Sequence, residues 1–211
     1  MTRTLPAVAL AALIVLSGCM TASVDATVGG DGTVTSYDLS LQMSPTVYDG
    51  LQAQAEDSGY DSVEGYLLSD VNTSRMANHT YEQSLDGDNV TINVSFTDWN
   101  PGPESAVSTN VSDGNVTFED RTFVTVQEND GAALGDGVAV RYELTMPADI
   151  TESNADLVRN DTAVWEYAAD EPVEEPMRAT SLAPSGVFGP GFGVTAAVLA
   201  LLSMGVLARR S

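Results

Sequence analysis

Alternation between apolar and polar residues, repeated in several separate segments, constrains the fold of this chain more than any other feature. Successive side chains of a β-strand point to opposite faces, so a period of two predicts strands with one buried face. One apolar and one polar face is typical of an antiparallel sheet covered on one side. The alternating positions are Tyr37, Leu39, Leu41 and Met43; Val90, Ile92, Val94 and Phe96; Val138, Val140, Tyr142, Leu144 and Met146; and, less regularly, Thr122, Val124 and Val126.

Two short helices are predicted after the first of these strands. Ser44-Pro45 gives a cap and a proline at the first helical position, and Asp61-Ser62-Val63-Glu64 forms a capping box. The apolar stripes that follow are Val47, Leu51 and Ala55, then Val63, Tyr66, Leu67 and Val71. The predicted class is therefore α+β: a mainly antiparallel β-sheet with two short helices packed on one face, plus a C-terminal transmembrane helix.

The first 19 residues are ordered like a secretory signal that ends in a lipidation site. Arg3 gives a positive start, and a mostly apolar run from Leu5 to Leu16 follows. Such a run is too short to span a bilayer well. Leu16-Ser17-Gly18-Cys19 resembles a lipobox, so residues 1–18 are expected to be a signal peptide and Cys19 to be lipidated. An incidental cysteine in an ordinary signal peptide is the alternative.

Residues 187–211 are predicted to form a transmembrane sorting segment. Val187 to Ala208 carries no charge and is followed by Arg209-Arg210, which the positive-inside rule keeps in the cytoplasm. Pro190, Gly191 and Phe192 precede the main apolar run, and this arrangement resembles the PGF-CTERM tail of haloarchaeal surface proteins. Members of that family are cut by an archaeosortase and moved to a lipid anchor. An uncleaved single-span anchor is the alternative.

The acidic charge of the chain limits both its partners and its solvent. The chain has 30 acidic and 8 basic residues and a formal net charge of −22. Such a surface repels phosphate, so nucleic acid is not expected as a partner. At molar salt the Debye length falls to about 3 Å, which screens the self-repulsion and makes the dispersed carboxylates suitable for concentrated brine. With one cysteine and one histidine, no metal site or cofactor is predicted.

Seven of the ten asparagines begin the sequence Asn-X-Ser/Thr, the acceptor for N-linked glycans. These candidates are Asn72, Asn78, Asn89, Asn93, Asn110, Asn115 and Asn160. Because serine and threonine make up about a fifth of the chain, chance would give roughly two. The excess predicts a glycosylated surface. The alternative is that polar strands are simply rich in asparagine and threonine.

A change in composition after residue 167 predicts the end of the folded domain. Between residues 168 and 186 the alternation stops, and acidic residues mix with Pro172, Pro176 and Pro184. This composition is typical of an extended, self-repelling spacer. The expected organisation is a signal peptide at 1–18, an ectodomain at 19–167, an acidic proline-rich linker at 168–186 and the sorting segment at 187–211.

The middle of the chain resembles the ectodomain of the LppM-type lipoproteins. The resemblance rests on the lipobox, on the Asp31-Gly32 turn before a strand, and on the late segment from Val140 to Trp165. In that family a strand ends in Pro-Gly, an Asn-Gly turn follows, and a strand carrying tryptophan closes the domain. Ala148 and Ala155 replace the glycines here, so the turns are expected to differ. The resemblance implies an α+β ectodomain near a membrane, lipid or glycolipid binding, and no catalytic residue.

The residues themselves also give no reason to predict an enzyme. His79, the single histidine, lies inside a sequon in a segment expected to be exposed. The chain has no Gly-X-Ser-X-Gly elbow and no His-Glu-X-X-His pair, and a close pair of carboxylates is uninformative among 30 acidic residues. The stretch Asp86-Gly87-Asp88-Asn89 begins like a calcium loop, but Val90 and Thr97 stand where oxygen ligands are required.

Two functions are compatible with these observations. The first is a non-catalytic binding ectodomain on the extracellular face of the cell membrane, with a lipid or glycan ligand between the sheet and the helix pair Val47–Val71. The second is a structural component of the envelope without a small ligand. Membrane lipid and the lipidation and sorting machinery are expected partners in both. Trp99 is interpreted either as a platform for sugar or lipid or as a core residue, and Trp165 as core.

Overall fold

The computed structural model describes residues 20–69, 71–102, 105–124 and 137–184. Within these ranges the chain is mainly β-sheet with two short α-helices, which confirms the predicted α+β class. The elements are β1 (Met20–Val28), β2 (Val34–Met43), α1 (Pro45–Asp57), α2 (Val63–Leu67), a 3-10 turn (Thr73–Arg75), β3 (Asn78–Asp86), β4 (Asn89–Trp99), β5 (Val107–Ser112), β6 (Asn115–Asp120), β7 (Val138–Thr145), β8 (Ile150–Ser153), β9 (Leu157–Arg159), β10 (Thr162–Tyr167) and β11 (Met177–Leu182).

The strands form two sheets. The large sheet has seven strands in the order β3-β4-β2-β1-β7-β10-β9, and the small sheet has four in the order β5-β6-β11-β8. All neighbouring pairs are antiparallel except β1 and β7, which run parallel at the centre of the large sheet. The sequence did not predict β1, because Ala22 and Ala26 on its buried face give a weak apolar signal.

The inner face of the large sheet is apolar across its central strands. Val24 lies opposite Leu39 on one side and opposite Tyr142 on the other, and Tyr142 lies opposite Trp165. All four side chains are buried. The intervening residues form a polar outer face, so the alternation predicted for β2, β4 and β7 is confirmed.

The inner face is covered by two different structures. Apolar residues of α1 and α2 pack against the core, and Tyr48 of α1 donates a hydrogen bond to Gln83 Oε1 of β3 at 3.0 Å. The small sheet packs beside β7, where the rings of Phe118 and Tyr142 lie 6.3 Å apart. Ser44 caps α1 as predicted. In the predicted capping box Asp61-Ser62-Val63-Glu64, Ser62 is the residue that caps α2, and its Oγ accepts from the Gly65 N–H at 3.0 Å.

The linker predicted for residues 168–186 is wrong in its second half. Met177–Leu182 forms β11, which pairs with β6 on one side and β8 on the other. Met177, Ala179 and Ser181 alternate on its buried face, and Val173 is buried before it. Alanine and serine gave no apolar pattern in the sequence, while the acidic and proline residues around them suggested a spacer. Pairing on both edges and close packing by small side chains override that composition.

The less regular strand predicted from Thr122 to Val126 is wrong up to Val124, and its last two residues lie outside the described ranges. β6 ends at Asp120, and the Val124 N–H donates to the Arg121 carbonyl at 3.1 Å in a turn. Phe123 and Val124 are both buried, so neighbouring residues share the core and period two fails.

The predicted targeting segments lie outside the described residues. Cys19, the motif Pro190, Gly191 and Phe192, and the predicted span at 187–208 all fall there. In the part of the chain that the structure does describe, no helix combines the length and apolar character needed to cross a membrane.

Candidate binding groove on the outer face

A groove of about 430 Å³ lies on the outer face of the large sheet, where β7, β10 and β9 adjoin. Sites for small molecules typically enclose about 300–1,000 Å³. The groove is lined by Arg141, Glu143, Asp156, Leu157, Arg159, Asn160, Asp161, Thr162, Val164 and Glu166. It is therefore large enough for a sugar or a lipid headgroup.

The strand register places an apolar pair among the charged residues of this groove. Leu157 of β9 lies opposite Val164 of β10, and Arg159 lies opposite Thr162. On the other side of β10, Val164 lies opposite Glu143 of β7. Leu157 is 43% exposed although it is a large apolar side chain. The groove thus presents hydrocarbon and charge next to each other.

Most of the charged groups in the groove are already held by neighbours. Arg141 donates from Nη1 to Glu166 at 3.1 Å and from Nη2 to Glu143 at 2.8 Å. Asp156 Oδ2 accepts from the Glu166 N–H at 2.9 Å. These contacts fix β7, β10 and the residue before β9 relative to one another, so the groove is preformed.

Arg159 differs from the other arginines in the described ranges, because its guanidinium has no hydrogen bond or ion pair there. The other four are all engaged: Arg75 with Asn100, Arg121 and Arg178 with Glu119, and Arg141 with Glu143 and Glu166. A guanidinium carries five N–H donors. In a chain this rich in carboxylates, an unengaged guanidinium beside a groove is a donor set available to a ligand.

Asn160 forms the rim of the groove in the turn between β9 and β10. Its backbone has φ of +53°, a conformation that asparagine tolerates better than most residues. Its carbonyl accepts from the Ile150 N–H at 2.7 Å, which ties the turn to β8. The side chain itself is exposed.

A second polar cluster lies buried between the sheets and was missed by sequence reasoning. Asp120 Oδ2 accepts from the Tyr37 hydroxyl at 3.1 Å and from the Tyr142 hydroxyl at 2.9 Å. Its Oδ1 accepts from the Thr122 N–H at 2.7 Å. Burial raises the pKa of Asp120, and burial together with the Asp120 charge raises the pKa of both tyrosines well above the usual range.

The cluster around Asp120 joins the two sheets and is closed to solvent. Asp120 is 2% exposed, and every buried side-chain polar atom in the described ranges has a hydrogen-bond partner. A signal was present in the sequence, because Asp120 continues the alternation of Val116 and Phe118 on the buried face of β6. We assign it a structural role, since its carboxylate is buried and its oxygens accept from Tyr37, Tyr142 and Thr122.

The sequon asparagines are spread over the surface rather than gathered in one site. Six are exposed and Asn115 is partly buried. Asn93 lies on the outer face of β4 as predicted. Of the seven, Asn160 alone lines the groove described above.

The remaining candidates from the sequence do not form a site. Trp99 is buried against Tyr37 and Phe96, so its interpretation as a sugar or lipid platform is wrong, and Trp165 is buried as predicted. His79 is exposed on β3. The described groove also lies away from α1 and α2, where the sequence had predicted a cleft. Across the described ranges no three His, Cys, Asp or Glu residues are arranged to hold a metal ion.

Comparison with known proteins gives one relative and one structural likeness. No family model matches the chain. An uncharacterized protein of Archaeoglobus fulgidus is 33% identical over 199 residues, which cover 92% of this chain and 90% of that protein. The chain belongs to the same family as this protein. Among solved structures, the NMR structure of the folded domain of Mycobacterium tuberculosis LppM has a TM-score of 0.47 and 16% identity, over 79% of this chain and 90% of that one.

Proposed function

We propose that this protein is a surface lipoprotein whose ectodomain binds the sugar headgroup of a glycolipid in the outer groove, without catalysing a reaction. The observation that supports this most directly is the pair of exposed Leu157 and half-buried Val164 beside the unengaged guanidinium of Arg159. The two features offer an apolar contact and hydrogen-bond donors within one preformed groove.

The charge balance of the groove favours a sugar over an anionic headgroup. Four carboxylates and two guanidinium groups line it, so it carries a net negative charge that disfavours phosphate. Sugar hydroxyls can donate to carboxylates and accept from Arg159. The aliphatic side chains of Leu157 and Val164 can cover the C–H face of a ring or the first methylenes of a lipid chain.

The sequence signals at the two ends supply the location in this proposal. A lipid on Cys19 and the segment that contains Pro190, Gly191 and Phe192 would hold the domain at the extracellular face of the cell membrane. Membrane lipid and the lipidation and sorting machinery are then its partners. At that surface a glycolipid headgroup is within reach of an anchored domain.

Binding of n-dodecyl β-D-maltoside to the full chain, below the critical micelle concentration of this detergent, tests the proposal. Maltose and dodecylphosphocholine serve as comparison ligands for the headgroup and the alkyl chain. Leu157→Ser should weaken maltoside binding about three- to ninefold, because full burial of a leucine side chain is worth about 1.5–3 kcal/mol and 43% of Leu157 remains to be covered. Leu182→Ser is the matched control, since Leu182 is 57% exposed at the end of β11 and does not line the groove.

Three results would contradict this proposal. These are no maltoside binding by the wild-type chain, equal binding by the Leu157→Ser variant, and stronger binding of dodecylphosphocholine than of the maltoside. The first result would favour the second candidate, a structural envelope component. The observation that favours an envelope component is the spread of seven sequon asparagines over the surface, which suits a hydrated coat.

A further inference from the structure

We propose that Asn160 is a glycan acceptor and that the attached sugar occupies the outer groove, so that glycosylation of this residue closes the binding site. The inference rests on the proposed function, since it requires that the groove accept a sugar. The glycan would be a covalent regulator of the groove, attached to the turn that forms the rim of the groove.

The position of Asn160 separates it from the other sequons. Asn72, Asn78, Asn89 and Asn93 lie on or near β3 and β4, at the opposite edge of the large sheet from β9. Asn110 and Asn115 lie on the small sheet. Asn160 lies directly between Arg159 and Asp161, and Thr162, the hydroxyl residue of its sequon, also lines the groove. A sugar on Asn160 therefore starts at the rim of the groove.

The side-chain amide of Asn160 is free to receive a glycan. It is exposed and makes no hydrogen bond within the described ranges, whereas Asn78 Nδ2 donates to Thr97 Oγ1 at 3.3 Å and Asn72 Oδ1 accepts from the Ser74 N–H at 3.1 Å. The positive φ explains why an asparagine suits this turn. The turn conformation does not, however, require a threonine at position 162, the residue that completes the sequon.

The same chemistry that suits a free sugar suits a tethered one. Arg159 and the groove carboxylates offer donors and acceptors for hydroxyl groups, and Leu157 with Val164 offers an apolar surface. A short covalent tether gives an effective concentration of about millimolar. The attached glycan is therefore expected to exclude a free ligand that binds the groove no more tightly than the glycan and is present at lower concentration.

Separated glycoforms of the full chain test this inference. The chain is produced in a host that attaches N-glycans and in a host that does not, and dodecyl maltoside binding is measured for each preparation. Glycopeptide mapping reports the occupancy of Asn160. We expect the form glycosylated at Asn160 to bind the maltoside at least about tenfold more weakly than the unglycosylated chain does.

Two variants separate closure by this glycan from a general effect of glycosylation. Asn160→Gly keeps a residue that tolerates positive φ and removes the acceptor. Because Asn160 also lines the groove, each variant is compared with itself: the maltoside affinity of Asn160→Gly should be the same from both hosts. Asn110→Gln removes a sequon on the small sheet, outside the groove, and should lose maltoside affinity in the glycosylating host as the wild type does.

The outcomes distinguish this inference from the proposed function. An unmodified Asn160, or equal maltoside binding with and without its glycan, would overturn the inference and leave the proposed function standing. Failure of the unglycosylated wild-type chain to bind the maltoside would overturn the proposed function and this inference with it.

Discussion

The inner and outer faces of the large sheet use alternate residues of the same strands, yet different forces hold their side chains. On the inner face, Tyr142 packs edge to face against Trp165 with ring centroids 5.7 Å apart and donates to buried Asp120. On the outer face, the adjacent Arg141 makes ion pairs that remain open to solvent. Stability therefore depends mainly on the inner face, which leaves the outer face available for binding.

The largest expected effect is the loss of a buried ring from the inner face. Trp165→Ala should lower the free energy of unfolding by about 3–5 kcal/mol, because it leaves a cavity beside Tyr142. It also removes the indole N–H that donates to Asn154 Oδ1 at 3.1 Å. Urea unfolding at fixed high salt measures the change. The outer-face control Leu157→Ala should change stability by less than about 0.5 kcal/mol, and similar losses in the two variants would break the distinction between the faces.

A smaller effect is expected where the large sheet meets the small one. Gly32 has φ of +82°, and a Cβ there would lie 2.9 Å from Val111 Cγ2 of β5. Gly87 has φ of +60° in the β3–β4 turn with no atom within 4 Å of the corresponding position. Gly87→Ala should therefore cost about 1–2 kcal/mol through the backbone alone, and Gly32→Ala about 1 kcal/mol more through crowding. Equal costs would show that the contact between the sheets is loose.

The difference between the two faces also decides which parts of the structure are predictable from the sequence. The alternation that predicted β2, β4 and β7 reports burial on the inner face, so it located much of the core. It could not locate β11, where Ala179 and Ser181 fill the buried positions. Nor could it find the groove, because Leu157, Arg159 and Val164 come together only through the register of β9 on β10. A site made of exposed residues on a short edge strand has no period of its own.

The pH dependence of stability should distinguish the buried carboxylate from the exposed ones. Burial raises the pKa of Asp120 above its ordinary value of 3.8. Between that value and the raised pKa, the folded state binds more protons than the unfolded state, so this group makes stability fall as pH rises. Asp120→Asn should remove that component of the pH profile, as measured by urea unfolding from about pH 4 upward. A pH profile of stability that is unchanged in Asp120→Asn would contradict the raised pKa of Asp120.

The smallest effect is expected on the outer face, where Asp25 of β1 lies opposite Asp38 of β2 and Glu143 of β7. Like charges directly across strands destabilise a sheet by about 0.2–1 kcal/mol. Asp25→Asn should therefore stabilise the protein by about that amount in dilute buffer and by almost nothing at molar salt, where the Debye length is about 3 Å. Asp149→Asn is the control, because Asp149 is exposed and lies outside the strands. A gain that persists at molar salt would mean that packing, and not solvent-screened charge, sets the energetics of the outer face as well.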